Sequence, residues 1–233
     1  MPRITLIEDL TTGPIPAGSN ILVEFDAASQ WRNASLTIVA EWLRTGGTIN
    51  YNVWAEPPDN IRSYLNRYGL NTEELENEDR LRIYDYYTAT LGQKSNEEHG
   101  MNSLKVADLS IEHSKFTKAT VLGPDRLRIM DNVSVLARYN EEKAWVDFLL
   151  TRFFPRGPMW KSTAIVSVIG KFHSDWAYKA LEAAADGIVD FKLEESGEET
   201  RDLIQIRSMR NVGYDRRWHQ LRIGDNFEVT LEK

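Results

Sequence analysis

The stretch "ILVEFDAASQWRNASLTIV", Ile21 to Val39, reads as a strand, a short loop and a helix, which is a setting for a phosphate-binding loop. Such a loop needs glycines, because its backbone N–H groups curl around an anion through positive-φ conformations that other residues enter only at a cost. No glycine occurs from Ser19 through Thr45. Asp26 puts a negative charge where phosphates would lie, and a like-charge contact at about 4 Å costs on the order of 1 to 4 kcal/mol. Trp31 brings a bulky ring. Arg32 is the one residue here that could still bind phosphate, since a guanidinium suits that geometry; its plainer reading is an exposed arginine at the start of a helix. A lone basic residue does not replace a glycine cradle.

The remaining reactive residues form weaker patterns. His99, His113, His173 and His219 show no HxxH or HExxH spacing and have no cysteine to accompany them, so zinc binding has little support. In "FHSDW", His173, Ser174 and Asp175 are consecutive, whereas a nucleophilic triad needs spatial proximity; capping of a helix explains Ser174 and Asp175 better. Arg207, Arg210, Arg216, Arg217 and Arg222, interleaved with Tyr214 and Trp218, could stack bases and hold phosphates, or could form a protein interface rich in arginine and aromatics. The acidic balance of the chain favours the interface.

That balance is a formal net charge of −7 over 233 residues, which argues against a general nucleic-acid-coating surface. Hydrophobic content of 42% and seven tryptophans imply a folded chain with a sizeable core, and the length favours one domain spanning 1–233. The absence of cysteine excludes disulfides and thiolate metal sites. "MPRITLIEDLTTG" carries acids where a signal peptide needs an apolar run, and no segment approaches the roughly 18 apolar residues of a spanning helix. The expectation is a cytoplasmic protein without membrane insertion.

The elements that position these residues follow from periodicity. Ile21–Phe25 suits a buried strand, and Leu36, Val39, Ala40 and Leu43 form one apolar helix face within Ala34–Arg44, which "RTGGT" terminates. "INYNVW" is the next strand, and "EPPDNIRSYLNRYGL" a helix with Ile61, Leu65 and Tyr68 on one face. "RLRIYDYY", "DRLRIMD" and "TAIVSVIG" are further strands, "EEKAWVDFLLTRFF" a helix with core aromatics, and "DWAYKALEAAAD" a helix capped by Ser174. Residues 88–103 lack periodicity and read as an exposed, mobile loop, while "LKVADLSIEHSKFTKATVLG" fits neither helix nor strand firmly. From Gly187, short alternating runs with turns between them predict antiparallel strands over 187–233. The expected fold is α/β, with a mainly parallel central sheet flanked by helices and a C-terminal antiparallel β extension.

Several pieces, in order, resemble the KaiC-like branch of the RecA-type P-loop ATPases. "GPIPAGSNILVE" looks like that branch's "GGIPRGSVVLVEG", "RLRIMDNVSVL" like its Walker B strand followed by "DSLS", and "ADGIVDFKLEESGEETRDLIQIRSMRNVGYDRRWHQLRI" like its C-terminal tail. The resemblance spans nearly the whole chain except about residues 88–124. It implies a RecA-like fold and a site for ATP and magnesium, yet the site residues depart from the family pattern. In the ungapped Walker A alignment over Ser29, Gln30, Trp31 and Arg32, Phe25 stands at the first glycine, Gln30 at the second, Trp31 at the lysine and Arg32 at the Ser/Thr. Asp131 matches the Walker B aspartate, which would hold magnesium if the ion is retained or otherwise cap a neighbouring element. Of the family's paired catalytic glutamates only Glu56 remains, because Ala55 replaces the other. In the tail, Ser208 replaces a lysine offered to the neighbouring subunit's nucleotide and Arg210 keeps the arginine, either at a subunit contact or simply exposed.

Losses at three separated positions of one mechanism point the same way. The expectation is a catalytically inactive KaiC/RecA-like regulatory or protein-interaction module, archaeal-like in sequence and serving signalling or assembly. It would work with protein partners or active paralogues, as a possible homo-oligomer, with no cofactor and with nucleic acid unlikely. The alternatives are an atypical ATP-binding protein using Arg32, Glu56, Asp131, magnesium and a trans Arg210, and a RecA-paralogue DNA-binding accessory protein.

Overall fold

In the computed structural model, which describes residues 2–118, 123–197 and 199–232 (side chains of 113–118 apart), the run Asn20–Phe25 forms β1 and is covered on both sides. The chain continues through α1 (Trp31–Arg44), β2 (Thr48–Val53), α2 (Pro58–Arg67), α3 (Thr72–Asn77), β3 (Leu81–Asp85), the single turn α4 (Tyr87–Thr90), β4 (His99–Gly100) and α5 (Val106–Lys118). Then come β5 (Arg126–Asp131), a 3-10 segment Val133–Arg138, α6 (Glu142–Phe148) running into a π turn Leu149–Phe153, α7 (Arg156–Trp160), β6 (Ala164–Ile169) and α8 (Asp175–Ala184). Four strands close the chain: β7 (Gly187–Ser196), β8 (Glu199–Met209), β9 (His219–Ile223) and β10 (Val229–Leu231).

All ten strands join one sheet in the order β10-β9-β8-β7-β1-β6-β5-β2-β3-β4. Every neighbour from β7 to β4 is parallel, while β7–β8, β8–β9 and β9–β10 are antiparallel. This is the mixed RecA-like α/β architecture, with one correction to the expected extension: β7 is the seam. Its Gly187–Phe191 pairs parallel with β1, and only its other edge opens the antiparallel part.

Strand alternation sorts the core into two layers. Ile21, Val23 and Phe25 of β1 and Leu127 and Ile129 of β5 meet α1, α2 and α3 through Leu36, Val39, Leu43, Ile61, Leu65 and Leu75. Leu22 and Met130 face the opposite layer, built by Leu109, Trp145, Val146, Phe148, Phe153 and Leu181. The aromatics of α6 and its π turn are therefore core. Helix ends obey local chemistry: Gly46, at φ 91°, follows α1 in the left-handed region, and the Ser174 hydroxyl accepts the Ala177 N–H at 3.3 Å to cap α8.

Three expectations change. Helix α1 begins at Trp31 rather than Ala34, so Trp31 and Arg32 sit on its first turn. The 88–103 stretch is exposed over 91–94, as expected, and is also anchored: Asp85 Oδ2 accepts from Thr88 Oγ1 at 2.5 Å and Ser95 Oγ at 2.6 Å, Arg62 clasps Glu97 at 2.8 and 2.6 Å, and Met101 is fully buried. The unassigned stretch supplies α5 as far as Lys118; its residues 119–122 lie outside the described residues.

Candidate functional site at the carboxyl end of the sheet

The loop between β1 and α1 satisfies its backbone within itself and from its strand neighbours. Ser29 donates to the Asp26 carbonyl through both its N–H (2.8 Å) and its hydroxyl (2.7 Å), and the Asp26 N–H is taken by the Phe191 carbonyl of β7 at 2.9 Å. Gln30 accepts the Ala34 N–H with its carbonyl at 2.9 Å and Asn33 Nδ2 with its side chain at 2.7 Å. No residue from Phe25 to Gln30 has positive φ, so the loop is a pair of tight turns and not a concave nest of N–H groups.

Trp31 fills the space beside that loop. It is 1% exposed, packed edge-on against Phe191 (ring centroids 5.1 Å apart) and tilted against Phe25 (6.3 Å). Its indole Nε1–H donates to Asp131 Oδ1 at 2.9 Å. Ser167 Oγ of β6 donates to the same oxygen at 2.8 Å, while Ser35 Oγ of α1 and Tyr51 OH of β2 donate to Oδ2 at 3.2 and 3.1 Å. Both carboxylate oxygens thus receive two hydrogen bonds each, from three elements: α1, β2 and β6. Burial pushes the Asp131 carboxyl above the ordinary carboxylate range, and the hydrogen bonds from Ser167, Trp31, Tyr51 and Ser35 oppose that rise. Chemically, Asp131 is a half-buried hydrogen-bond hub that ties β5, β6, β2 and α1 together.

Arg32 and Glu56, separated by 24 positions, meet each other. Arg32 Nε donates to Glu56 Oε1 at 2.9 Å, Nη2 donates to Oε2, and the guanidinium lies 4.3 Å from the centre of the Tyr64 ring. The Glu56 hydrogen bond holds the Arg32 pKa above its ordinary value. Arg32 is exposed, as its plain reading anticipates, but it is not idle: it engages the carboxylate that sequence reasoning set aside as a possible base. Arg210, just beyond β8, is exposed, donates to the Ala183 carbonyl at 3.0 Å and lies 3.9 Å from Asp186.

The tail arginines are largely engaged within the chain. Arg217 pairs with Asp215 at 2.6 Å and Arg216 donates to Tyr214 OH at 3.0 Å. Arg207 joins three acids, Glu24 at 2.8 Å, Asp190 at 2.5 Å and Glu182. One guanidinium among three carboxylates, with Glu24 largely buried, leaves the Glu24 carboxyl pushed up to about 7; burial is the main cause and outweighs the pairing with Arg207.

Some of these contacts were not foreseen from the sequence. Ser167 carried a faint signal, as the one polar residue inside the otherwise apolar run of β6, whereas Ser35 and Tyr51 stand among other polar residues of α1 and β2 and carried none. His173 pairs not with its sequence neighbours but with Ser134, Nε2 to Oγ at 2.8 Å, with the Glu142 carboxylate 3.8 Å from Nδ1. Ser134 Oγ also accepts the Ile169 N–H at 2.9 Å, and Glu142 accepts the Ser174 N–H at 3.0 Å, so this set stitches β6, α6 and the start of α8 together. Burial lowers the His173 pKa. Among the described residues no cluster of three or more His, Asp or Glu is placed to hold a metal ion.

Comparison with known proteins gives the fold its family. The chain superposes on the crystal structure of the KaiC-like protein PH0186 from the hyperthermophilic archaeon Pyrococcus horikoshii OT3 with a TM-score of 0.77 and 17% identity, covering 99% of this chain and 96% of that one. No curated protein sequence matches it significantly. The family model described as "ATPase: KaiC" matches residues 38–232, starting beyond the loop and first turn just described. With most of its length matched by that model, this chain belongs to the KaiC ATPase family.

Proposed function

We propose that this chain is a member of the KaiC family that does not hydrolyse ATP and serves as a regulatory or protein-interaction module, in signalling or in assembly with other proteins or active paralogues. The observation that carries the reading is the hydrogen bond from the Trp31 indole to Asp131, two residues that the sequence resemblance sets against the phosphate-loop lysine and the Walker B aspartate. A lysine there would present a charge to phosphate; the tryptophan presents apolar volume and spends its one donor on the residue that would otherwise serve magnesium. The four donors on Asp131 occupy the lone pairs that a metal or its water shell would use. Arg32, the remaining basic candidate, is engaged with Glu56, and the loop has no positive-φ residue with which to wrap a phosphate. These residues fit neither a triphosphate nor its magnesium.

Fold resemblance does not by itself assign a role, and the interaction role rests on what the fold retains once its chemistry is gone. Calorimetric titration with ATP and magnesium, alongside Arg32→Ala, tests it. The expected result is no binding heat up to about 1 mM ATP, an affinity on the order of −4 kcal/mol. Tight, magnesium-dependent binding that disappears in Arg32→Ala overturns the proposal in favour of an unconventional nucleotide-binding protein.

A further inference from the structure

A second crevice opens at the carboxyl end of the same sheet, between β2 and β5. The helix after β2 packs on one face of the sheet and the elements after β5 on the other, the arrangement at which open α/β sheets receive ligands. A cleft of about 240 Å³ lies there, lined by Trp54, Tyr87, Asn132, Arg138, Ile169 and Phe172 among others. Its volume is below the roughly 300 to 1,000 Å³ typical of drug-sized ligands, which limits an occupant to one ring and a head group.

Three observations describe that occupant. First, Arg138 makes no ion pair or hydrogen bond among the described residues, leaving a cation in the wall of a mostly apolar cleft. Second, Trp54 Nε1 and Asn132 Oδ1 are screened from solvent and have no hydrogen-bond partner, and Trp54 is 1% exposed. Buried polar atoms in folded proteins are nearly always satisfied, so this donor and this acceptor, on two residues that line the cleft, mark its wall as incompletely bonded within the chain. Third, the aromatic wall is held rigid: Trp54 stacks on Tyr86 with centroids 3.7 Å apart, and Tyr86 OH donates to Asn52 at 3.3 Å. Phe172, 53% exposed, flanks the cleft as an apolar surface without cover.

We infer that this cleft binds a small, flat organic anion, its carboxylate or phosphate head on Arg138 and its unsaturated body against Trp54, Tyr87 and Phe172. The site is distinct from the Trp31–Asp131 hub and needs no nucleotide. It adjoins that hub through Asn132, the residue after Asp131, and through the Trp54 N–H bond to the Asp131 carbonyl at 3.3 Å.

The test is an NMR titration of the indole N–H signals of the full chain with benzoate and, separately, phenyl phosphate, up to about 10 mM. Trp54→Phe assigns the Trp54 signal, and Trp31 serves as an internal reference. The expected result is saturable movement of the Trp54 signal with a still Trp31, at least about tenfold weaker in Arg138→Gln and lost in Ala55→Trp, which fills the cleft from an exposed position. The head group giving the tighter curve identifies the anion class. No saturable movement with either probe, or equal movement in both variants, overturns the inference. Trp31 moving as well would place the probe at the other crevice and overturns it too.

Discussion

Two crevices lie at the carboxyl end of one parallel sheet, where neighbouring strands send their following elements to opposite faces: β1 beside β6, and β2 beside β5. The first is filled by Trp31 and closed by the four hydrogen bonds on Asp131; the second stays open, walled by aromatics and an arginine with no acid partner among the described residues. Their backbone settings are alike, and the side chains differ. Topology supplies a crevice at a switch point, but it is the residues on the loops that decide between a site and a piece of core.

The sharpest way to separate the two is to empty each in turn. Trp31→Ala removes a fully buried indole from between Phe25 and Phe191 and should destabilise the fold by about 3–5 kcal/mol. Phe172→Ala, at the exposed flank of the other crevice, should change stability by no more than about 0.5 kcal/mol. Urea unfolding of both variants measures the contrast, and equal losses would remove the distinction between core and cleft.

Asp131→Asn probes the hub without changing its size. The amide has one acceptor oxygen where the carboxylate offers two, so with that oxygen toward Trp31 and Ser167 the Ser35 and Tyr51 hydroxyls must turn from donors into acceptors of its NH2, and all four bonds lose their charge assistance. A loss of about 2–3 kcal/mol is expected from the same unfolding measurement. A neutral outcome would mean that the carboxylate is already protonated and that the hub is less charged than its four donors imply.

The neighbouring acid cluster gives a pH signature. Glu24 has its carboxyl pushed up from 4.5 to about 7, so the folded state holds that proton over a range where the unfolded chain has released it. Stability from this group is therefore complete below about pH 4.5 and declines as pH rises through about 7, by on the order of 2 kcal/mol. Asp131, whose carboxyl is also raised, adds a slope of the same sign, so the diagnostic quantity is the difference between the native chain and Glu24→Gln. Unfolding free energies at stepped pH should fall less steeply in the variant; parallel curves would show that Glu24 does not hold the proton.

Most of this architecture could be read from periodicity. Leu36, Val39, Ala40 and Leu43 announced the buried face of α1, and Ile21–Phe25 and Ala164–Ile169 read as core strands because they are. The double role of β7 could not be read, because an alternating run says that one face is buried and nothing about whether each neighbour is parallel. At the site, the absence of glycine foretold a loop without a nest, and Trp31 foretold bulk. What the residue order does not encode is the pairing across 100 positions of an indole with an aspartate, or of Arg32 with Glu56 across 24. Those contacts arise only once the parallel sheet brings the ends of β1, β2 and β5 together. The anchors of the 88–103 stretch were missed for a related reason: Asp85 and Arg62 lie outside it.

Arg32→Ala should have the smallest effect and the most specific meaning. The pair with Glu56 is bidentate, but the arginine side chain is 44% exposed, and exposed ion pairs contribute less than about 1 kcal/mol because water and salt screen them. The Tyr64 face adds a cation–π contact of similar exposure. A stability loss below about 1 kcal/mol, shrinking further at high salt, is the expected outcome of urea unfolding at two ionic strengths. A loss above about 2 kcal/mol that ignores salt would move this pair into the same class as the Trp31–Asp131 contact, and the filled crevice would then extend to the first turn of α1 and the loop after β2.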